Sequence, residues 1–280
     1  MSLAPEAGDV RSIRAIDVHG HLGRYRGCPL EVIDGFYSGG PEDVLRRAER
    51  ARVEFTFVSP LQGLFTQFGG DPVRANAELA ADIGSYPGLF QWAVVDPTRP
   101  ETFGQAAELL KTPRCIGIKV HPDLHRYAIK DHGARIFEFA AAAGAILLSH
   151  SGGDPSLPPD FLPFADRFPE VTFILAHLGW SLDGDLTRQV GAVSRSRHGN
   201  VHVDTSSSYS ITSNLIEWAV REVGPERILF GSDTPLYFSP MQRARIDHAE
   251  MDDAAKRLIL RGNAERLFAA KLGPFLTGRD

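Results

Sequence analysis

The sequence predicts an α/β fold of the (β/α)8 TIM-barrel class, formed as a single domain. Eight short β-branched or apolar segments alternate with helix-like segments along the 280 residues, without an internal repeat or a linker that would separate two domains. Strands separated by helices pair in parallel, and eight such units close into a barrel of about 250 residues. An open doubly wound sheet is disfavoured, because residues 19–23, His-Gly-His-Leu-Gly, match neither glycine-rich phosphate-binding pattern.

The predicted strands and helices follow one another in strict alternation. The strands are predicted over Ile13–Val18, Val53–Ser59, Leu89–Val95, Cys115–Val120, Ala145–Ser149, Val171–Ala176, Val201–Asp204 and Arg227–Phe230. Helices are expected to begin near Asp71 and Ser239, since both are N-cap residue types and each precedes a proline, which suits the first turn of a helix. Residues 1–12 are predicted to be a disordered tail, and residues 13–280 the barrel.

Composition and charge exclude several classes of function. The 30 Lys and Arg against 35 Asp and Glu give a net charge of −5, so no basic field exists to bind nucleic acid. No apolar run approaches the roughly 20 residues that a membrane helix needs. The N-terminus lacks the pattern of a secretory signal, and the two cysteines are far apart in the chain. We therefore expect a cytoplasmic protein without membrane or nucleic-acid partners.

Histidine and aspartate stand at the carboxyl ends of predicted strands, where a barrel of this class carries its active site. Five of the ten histidines and one aspartate do so: His19, His21, His121, His150, His177 and Asp233. Alternation of side chains along a strand predicts that Asp17, His19 and His21 share one face, as do Lys119 and His121. Imidazole and carboxylate groups bind zinc and other divalent transition metals, so the sequence predicts a catalytic metal site.

Several motifs in this order resemble the amidohydrolase superfamily. They are His19-Gly20-His21, His150, His177 and Gly231-Ser232-Asp233-Thr234-Pro235. Within the superfamily, residues 117–122 (GIKVHP) and 262–268 (GNAERLF) are similar to the amidohydrolase-related branch that also contains aminocarboxymuconate-semialdehyde decarboxylase. The resemblance runs from about Ile13 to Phe268. It implies a metal-dependent (β/α)8 enzyme, and its relatives suggest a homodimer.

The resemblance also implies roles for individual residues. One divalent ion, zinc or alternatively manganese, would be bound by His19, His21, His150 and Asp233. His177 would be a catalytic group that polarises water or substrate. Relatives with two ions use a carboxylated lysine after the fourth strand, and Lys119 stands at that place. A bridging role in a two-metal site and a purely electrostatic role beside Asp233 are both open for Lys119.

These groups suit hydrolysis of a small molecule. Water activated by the ion would attack an amide, ester or lactone carbonyl, with Asp233 taking the proton and returning it to the leaving group. The alternative is non-oxidative decarboxylation, or hydration, of an aromatic or unsaturated carboxylic acid, as some relatives of the branch perform. If the protein is not an enzyme, the alternative is a binding protein that has the same barrel but no metal.

Residues beyond two of the strand ends are candidates for substrate binding. Arg24 and Arg26 follow the first strand, and His121 and Arg126 follow the fourth. Guanidinium groups bind carboxylates through paired hydrogen bonds, so the substrate is expected to be a small molecule that carries a carboxylate. The serines after the seventh strand are also expected to face the pocket.

Overall fold

Eight parallel strands form one sheet in chain order in a computed structural model, which describes residues 8–276. They are β1 (Ala15–Leu22), β2 (Val53–Pro60), β3 (Leu89–Val94), β4 (Cys115–Val120), β5 (Leu147–Ser149), β6 (Phe173–Leu175), β7 (Val201–Asp204) and β8 (Ile228–Leu229). The N–H of Val18 donates to Phe230 O at 2.9 Å, and that of Asp233 to His19 O at 2.8 Å. These bonds join β1 to the chain leaving β8, and they confirm the predicted (β/α)8 barrel.

Helices lie between the strands and after β8. They are α1 (Glu31–Phe36), α2 (Pro41–Arg50), α3 (Leu61–Leu64), α4 (Pro72–Asp82), α5 (Glu101–Leu109), α6 (Pro122–His125), α7 (Ile129–Ala143), α8 (Pro158–Arg167), α9 (Arg188–Arg195), α10 (Leu215–Val223), α11 (Ser239–Asp247), α12 (Asp253–Arg257), α13 (Asn263–Leu267) and α14 (Ala269–Leu276). Asp71 caps α4 by accepting from the N–H of Arg74, as predicted, whereas Ser239 is the first residue of α11 and not its cap. Within residues 8–276, no helix is both long and apolar enough to cross a membrane.

Part of the predicted N-terminal tail packs on the barrel. Val10–Ser12 form a 3-10 helix, the Val10 side chain is buried, and Asp9 accepts from the N–H of Arg11. Residues 1–7 of the predicted tail lie outside the described residues, as do residues 277–280. The division of the chain at residue 13 stays a prediction.

Aromatic side chains fill the barrel interior, and the C-terminal helices close one end of it. Phe268, between α13 and α14, packs edge-on against Phe57 at 4.9 Å and Trp92 at 5.7 Å between ring centroids. Asn263 ties the same segment to the barrel, since its amide donates to the carbonyls of Pro225 and Ile228. The 262–268 motif is therefore structural, and the opposite end of the barrel is left for the site.

An irregularity in β1 decides which side chains reach the site. Asp17 pairs with Thr56 and Gly20 with Val58, so β1 carries one residue more than β2 in this stretch, as in a β-bulge. Strict alternation is lost there, and the prediction that Asp17 shares a face with His19 and His21 is wrong. The Asp17 carboxylate accepts from the N–H of Ser232 at 2.9 Å and does not line the cavity.

Candidate active site

A cavity of about 240 Å³ opens at the carboxyl ends of the strands, which is the predicted place. Its base is polar, with Lys119, His177 and Asp233 among the residues that line it. Its walls carry the aromatic rings of Tyr25, Phe65, Trp180 and Tyr237 and the side chains of several leucines. Among the described residues that line the cavity, Lys119 is the single lysine or arginine.

Three of the predicted metal ligands meet at this base. The ligand atoms of His19, His21 and Asp233, called here the primary cluster, lie within 4.8 Å of one another. Asp233 Oδ1 is 2.9 Å from His21 Nε2 and 3.7 Å from His19 Nε2. The same Asp233 oxygen is buried without a hydrogen-bond partner. A buried anionic oxygen beside two imidazole nitrogens is a fitting environment for a divalent cation.

Hydrogen bonds fix the orientation of both histidine rings in the primary cluster. His19 Nδ1 donates to Asp204 Oδ2 at 2.8 Å, which selects the tautomer with its lone pair on Nε2. Ser59 Oγ lies 2.8 Å from His21 Nδ1, so this ring also directs Nε2 toward Asp233. Partners of this kind align metal-binding histidines and raise their basicity.

The interpretation of the sequence missed Asp204, although it ends β7 just as other site residues end or follow their strands. Its carboxylate is fully buried and also accepts from the N–H of His177 at 3.1 Å and from Ser206 Oγ. Ser206 Oγ lies 2.9 Å from His177 Nδ1 as well. None of the serines that the structure describes after the seventh strand lines the cavity, so the expectation that they face the pocket is wrong, and Ser206 instead contacts the rings of His19 and His177.

The two residues predicted to be catalytic, His177 and Asp233, both have left-handed backbone. Their φ angles are 73° and 56°, a region that residues other than glycine seldom adopt. Such strain is maintained only where the surrounding structure enforces it, and it concentrates at functional sites. The His177 ring lies 4.9 Å from that of His19, so it stands beside the primary cluster. Burial lowers the pKa of His177 well below its usual range, so the ring is neutral at pH 7.

Lys119 is buried at the base of the cavity. Its Nζ donates to His19 Nε2 at 2.9 Å, and burial lowers the pKa of the amine to about 8 against the opposing attraction of Asp204 and Asp233. An electrostatic role agrees with this position. The bridging role stays a prediction.

His150 departs from the predicted set of four ligands. Its ligand atoms group with those of His121 and Asp123, called here the lateral cluster, within 4.8 Å of one another. The His150 ring is 4.9 Å from that of His177, so one ring separates it from the primary cluster. Burial lowers the pKa of His150 to about 3, and its Nδ1 is buried without a partner.

The structure does not bring the predicted arginines to the cavity. Arg24, Arg26 and Arg126 are exposed, and Arg24 pairs with Glu31. His121, the fourth candidate for substrate binding, does line the cavity. Most of the lining side chains that the sequence did not single out are aromatic or leucine, Trp180 and Tyr237 among them.

Comparison with known families gives the class of protein that this barrel and site define. Residues 16–270 match the model of the family described as Amidohydrolase. The chain therefore belongs to the amidohydrolase family and is an enzyme of that superfamily, as the motifs predicted.

Solved structures with the same fold include decarboxylases and a hydratase. A dihydroxybenzoic acid decarboxylase from Polaromonas, with bound manganese and 2-nitroresorcinol, is similar with a TM-score of 0.73 and 15% identity over 94% of this chain and 99% of that one. A 5-carboxyvanillate decarboxylase from Sphingomonas paucimobilis is similar with a TM-score of 0.67 and 16% identity, over 92% of this chain and 99% of that one. A 4-oxalomesaconate hydratase from Rhodopseudomonas palustris is similar with a TM-score of 0.67 and 14% identity, over 94% of this chain and 100% of that one.

Proposed function

We propose that the protein is a metal-dependent decarboxylase of a small aromatic carboxylic acid. The observation that carries this proposal is the composition of the cavity, in which aromatic rings and leucines surround a single buried cation, Lys119. A volume of about 240 Å³ suits one substituted ring. The similarity to solved decarboxylases supports this alternative over the hydrolase that the sequence favoured.

Apolar walls suit loss of carbon dioxide better than attack by water. Taking a carboxylate out of water is costly, and that charge disappears as carbon dioxide forms. Rings such as Trp180 and Phe65 stack on a planar substrate and exclude solvent from its carboxylate. A hydrolase needs a water molecule at the same point, which these walls disfavour.

The primary cluster suits a divalent ion, for which zinc and manganese are the candidates. His19, His21 and Asp233 would hold it, and manganese in a similar decarboxylase structure supports the second candidate. A bound ion would draw electron density from the oxygen substituents of the substrate.

The chain's own groups account for the proton that decarboxylation consumes. Lys119 attracts the substrate carboxylate to the base of the cavity, close to Asp233 and His177. Asp233 takes up a proton from solvent before the substrate fills the cavity, and it delivers this proton to the ring carbon that bears the carboxylate. The bond from that carbon to the carboxyl group then breaks, its electron pair remains on the ring, and carbon dioxide leaves.

A panel of substrates tests this function. Protein loaded with Mn²⁺ or Zn²⁺ is given hydroxybenzoates, unsaturated di- and tricarboxylates, and esters, lactones and amides, and release of carbon dioxide is measured beside release of protons. We expect carbon dioxide from aromatic monocarboxylates, abolished in Asp233→Asn. Proton release from the esters, lactones or amides, without carbon dioxide, would instead establish a hydrolase. Hydration of a polycarboxylate would equally contradict the proposal. We do not expect it, because a cavity with one cation among its lining residues suits a substrate with one carboxylate.

A further inference from the structure

We infer that Asp123 is a positioning residue, which holds His150 so that its Nδ1 would be available to bind the divalent ion of the active site. The inference rests on the proposed metal dependence. It explains why His150 stands apart from the primary cluster and yet lines the same cavity.

The two ring nitrogens of His150 have different surroundings. Nε2 lies 3.7 Å from Asp123 Oδ2, whereas Nδ1 is buried and has no partner. A buried imidazole with one nitrogen beside a carboxylate and the other free is the arrangement that metal-binding histidines adopt. The 3.7 Å distance exceeds a hydrogen bond, so the contact in this structure is electrostatic. Nδ1 is therefore the nitrogen free to act as a ligand, and Nε2 is the nitrogen beside the Asp123 carboxylate.

The Asp123 carboxylate is itself held in place. Ser156 Oγ donates to Oδ2 at 2.5 Å. On the other side the carboxylate lies against Gly153, where an added Cβ would come within 2.0 Å of Asp123 Oδ1. Any residue larger than glycine at position 153 would displace the carboxylate. The loop after β5 therefore accommodates Asp123 because residue 153 is glycine.

Stacking on His121 fixes the plane of the His150 ring. The two rings are 4.0 Å apart and inclined by 9°, so they are nearly parallel. The lone pair of an imidazole nitrogen lies in the ring plane, and two parallel rings at this spacing cannot both direct lone pairs at one ion. This geometry argues against a second ion in the lateral cluster and favours His121 as a support for His150.

Cobalt binding to the metal-free full chain tests the inference. Affinity is measured from the visible absorption of bound Co²⁺ for wild type, Asp123→Ala, Asp123→Asn and Asp131→Ala, the last a matched loss of an exposed carboxylate on α7. We expect Asp123→Ala to weaken Co²⁺ binding by about 10–100-fold, the usual effect of losing such a partner. Asp123→Asn should restore part of the loss, because its amide oxygen still attracts Nε2–H. Asp131→Ala should bind as wild type does.

Gly153→Ala keeps the inference testable should Asp123→Ala fail to fold. It leaves the carboxylate intact but displaces it, so it should weaken Co²⁺ binding in the same direction. Affinities within twofold of wild type in both variants would overturn the inference. So would two ions per chain of which Asp123→Ala loses only one, since the lateral cluster would then be a second metal site. Absence of saturable binding to wild type would overturn the metal-dependent function, and the inference with it.

Discussion

The primary and lateral clusters face the same cavity but are held in different ways. In the primary cluster each histidine has its second nitrogen fixed by a hydrogen bond of 2.8 Å. In the lateral cluster the contact between His150 and Asp123 is 3.7 Å, and ring stacking supplies the order. The primary cluster is thus preorganised for an ion, whereas in the lateral cluster the carboxylate lies beyond hydrogen-bond distance of its histidine.

The difference follows from where the residues stand in the chain. His19 and His21 lie within β1, and Asp233 is bonded through its N–H to His19 O where the barrel closes. Asp123 belongs to the four-residue helix α6 in the loop after β4. Groups on strands are positioned more rigidly than groups on loops. We therefore expect substitutions in the primary cluster and its network to have the larger effects.

The largest effect is expected from His21→Ala. It removes a ligand atom that lies 2.9 Å from Asp233 Oδ1, so ion affinity should fall by more than about 100-fold and turnover with it. Isothermal titration with Mn²⁺ or Zn²⁺ measures the affinity. His248→Ala, which removes an exposed imidazole, is the control. Equal losses in the two variants would show that the effect of His21→Ala does not arise from the primary cluster.

A smaller loss is expected from Asp204→Asn. The amide still accepts from His19 Nδ1–H but lacks the charge that raises the basicity of the ring, so ion affinity should fall by about 10-fold or more. The measurement is the same titration, run beside Asp123→Asn. The comparison between the clusters predicts the greater loss in Asp204→Asn, and the reverse order would contradict it.

The sequence predicted the barrel and most of the primary cluster because both depend on local patterns. Alternation of apolar segments with helices determines the architecture, and histidines at strand ends mark the site. The β1 bulge that removes Asp17 from the site depends on pairing with β2, which no local pattern reveals. The sequence did not reveal Asp204 and Asp123 as partners of the histidines, because these contacts form only on folding. Asp204 is 185 residues from His19 in the chain, and Asp123 is 27 residues from His150.

Stability should depend on pH through Asp17, which packs behind the primary cluster. Burial raises the pKa of its carboxyl from 3.8 to about 7. Between these pH values the folded protein keeps a proton on Asp17 that the unfolded chain has released. The stabilisation that comes from this bound proton is complete below about pH 4 and is lost as the pH rises to 7. Relative to Asp17→Asn, the wild-type free energy of unfolding should fall by up to about 1.4 kcal/mol per pH unit. Urea unfolding of the metal-free proteins from pH 4 to 7 measures the slope, and parallel curves would contradict the shift.

The smallest effect is expected from the cavity wall. Trp180→Leu removes an aromatic ring above the site, and aromatic contacts contribute about 0.5–1.5 kcal/mol. KM for an aromatic carboxylate should rise by about threefold to tenfold, and ion affinity should fall by less than this, because Trp180 packs edge-on against His150 but supplies no ligand atom. Steady-state kinetics and the ion titration together separate these readouts. A loss of ion binding in Trp180→Leu would show that the wall also supports the lateral cluster.

Metal content per chain tests the central claim most directly. Freshly purified wild type and His19→Ala are compared by elemental analysis after dialysis against a metal-free buffer. One divalent ion per wild-type chain, absent from His19→Ala, is the predicted result. An ion that remains in His19→Ala, or a wild type that binds none when zinc or manganese is supplied, would contradict a metal site built on His19, His21 and Asp233.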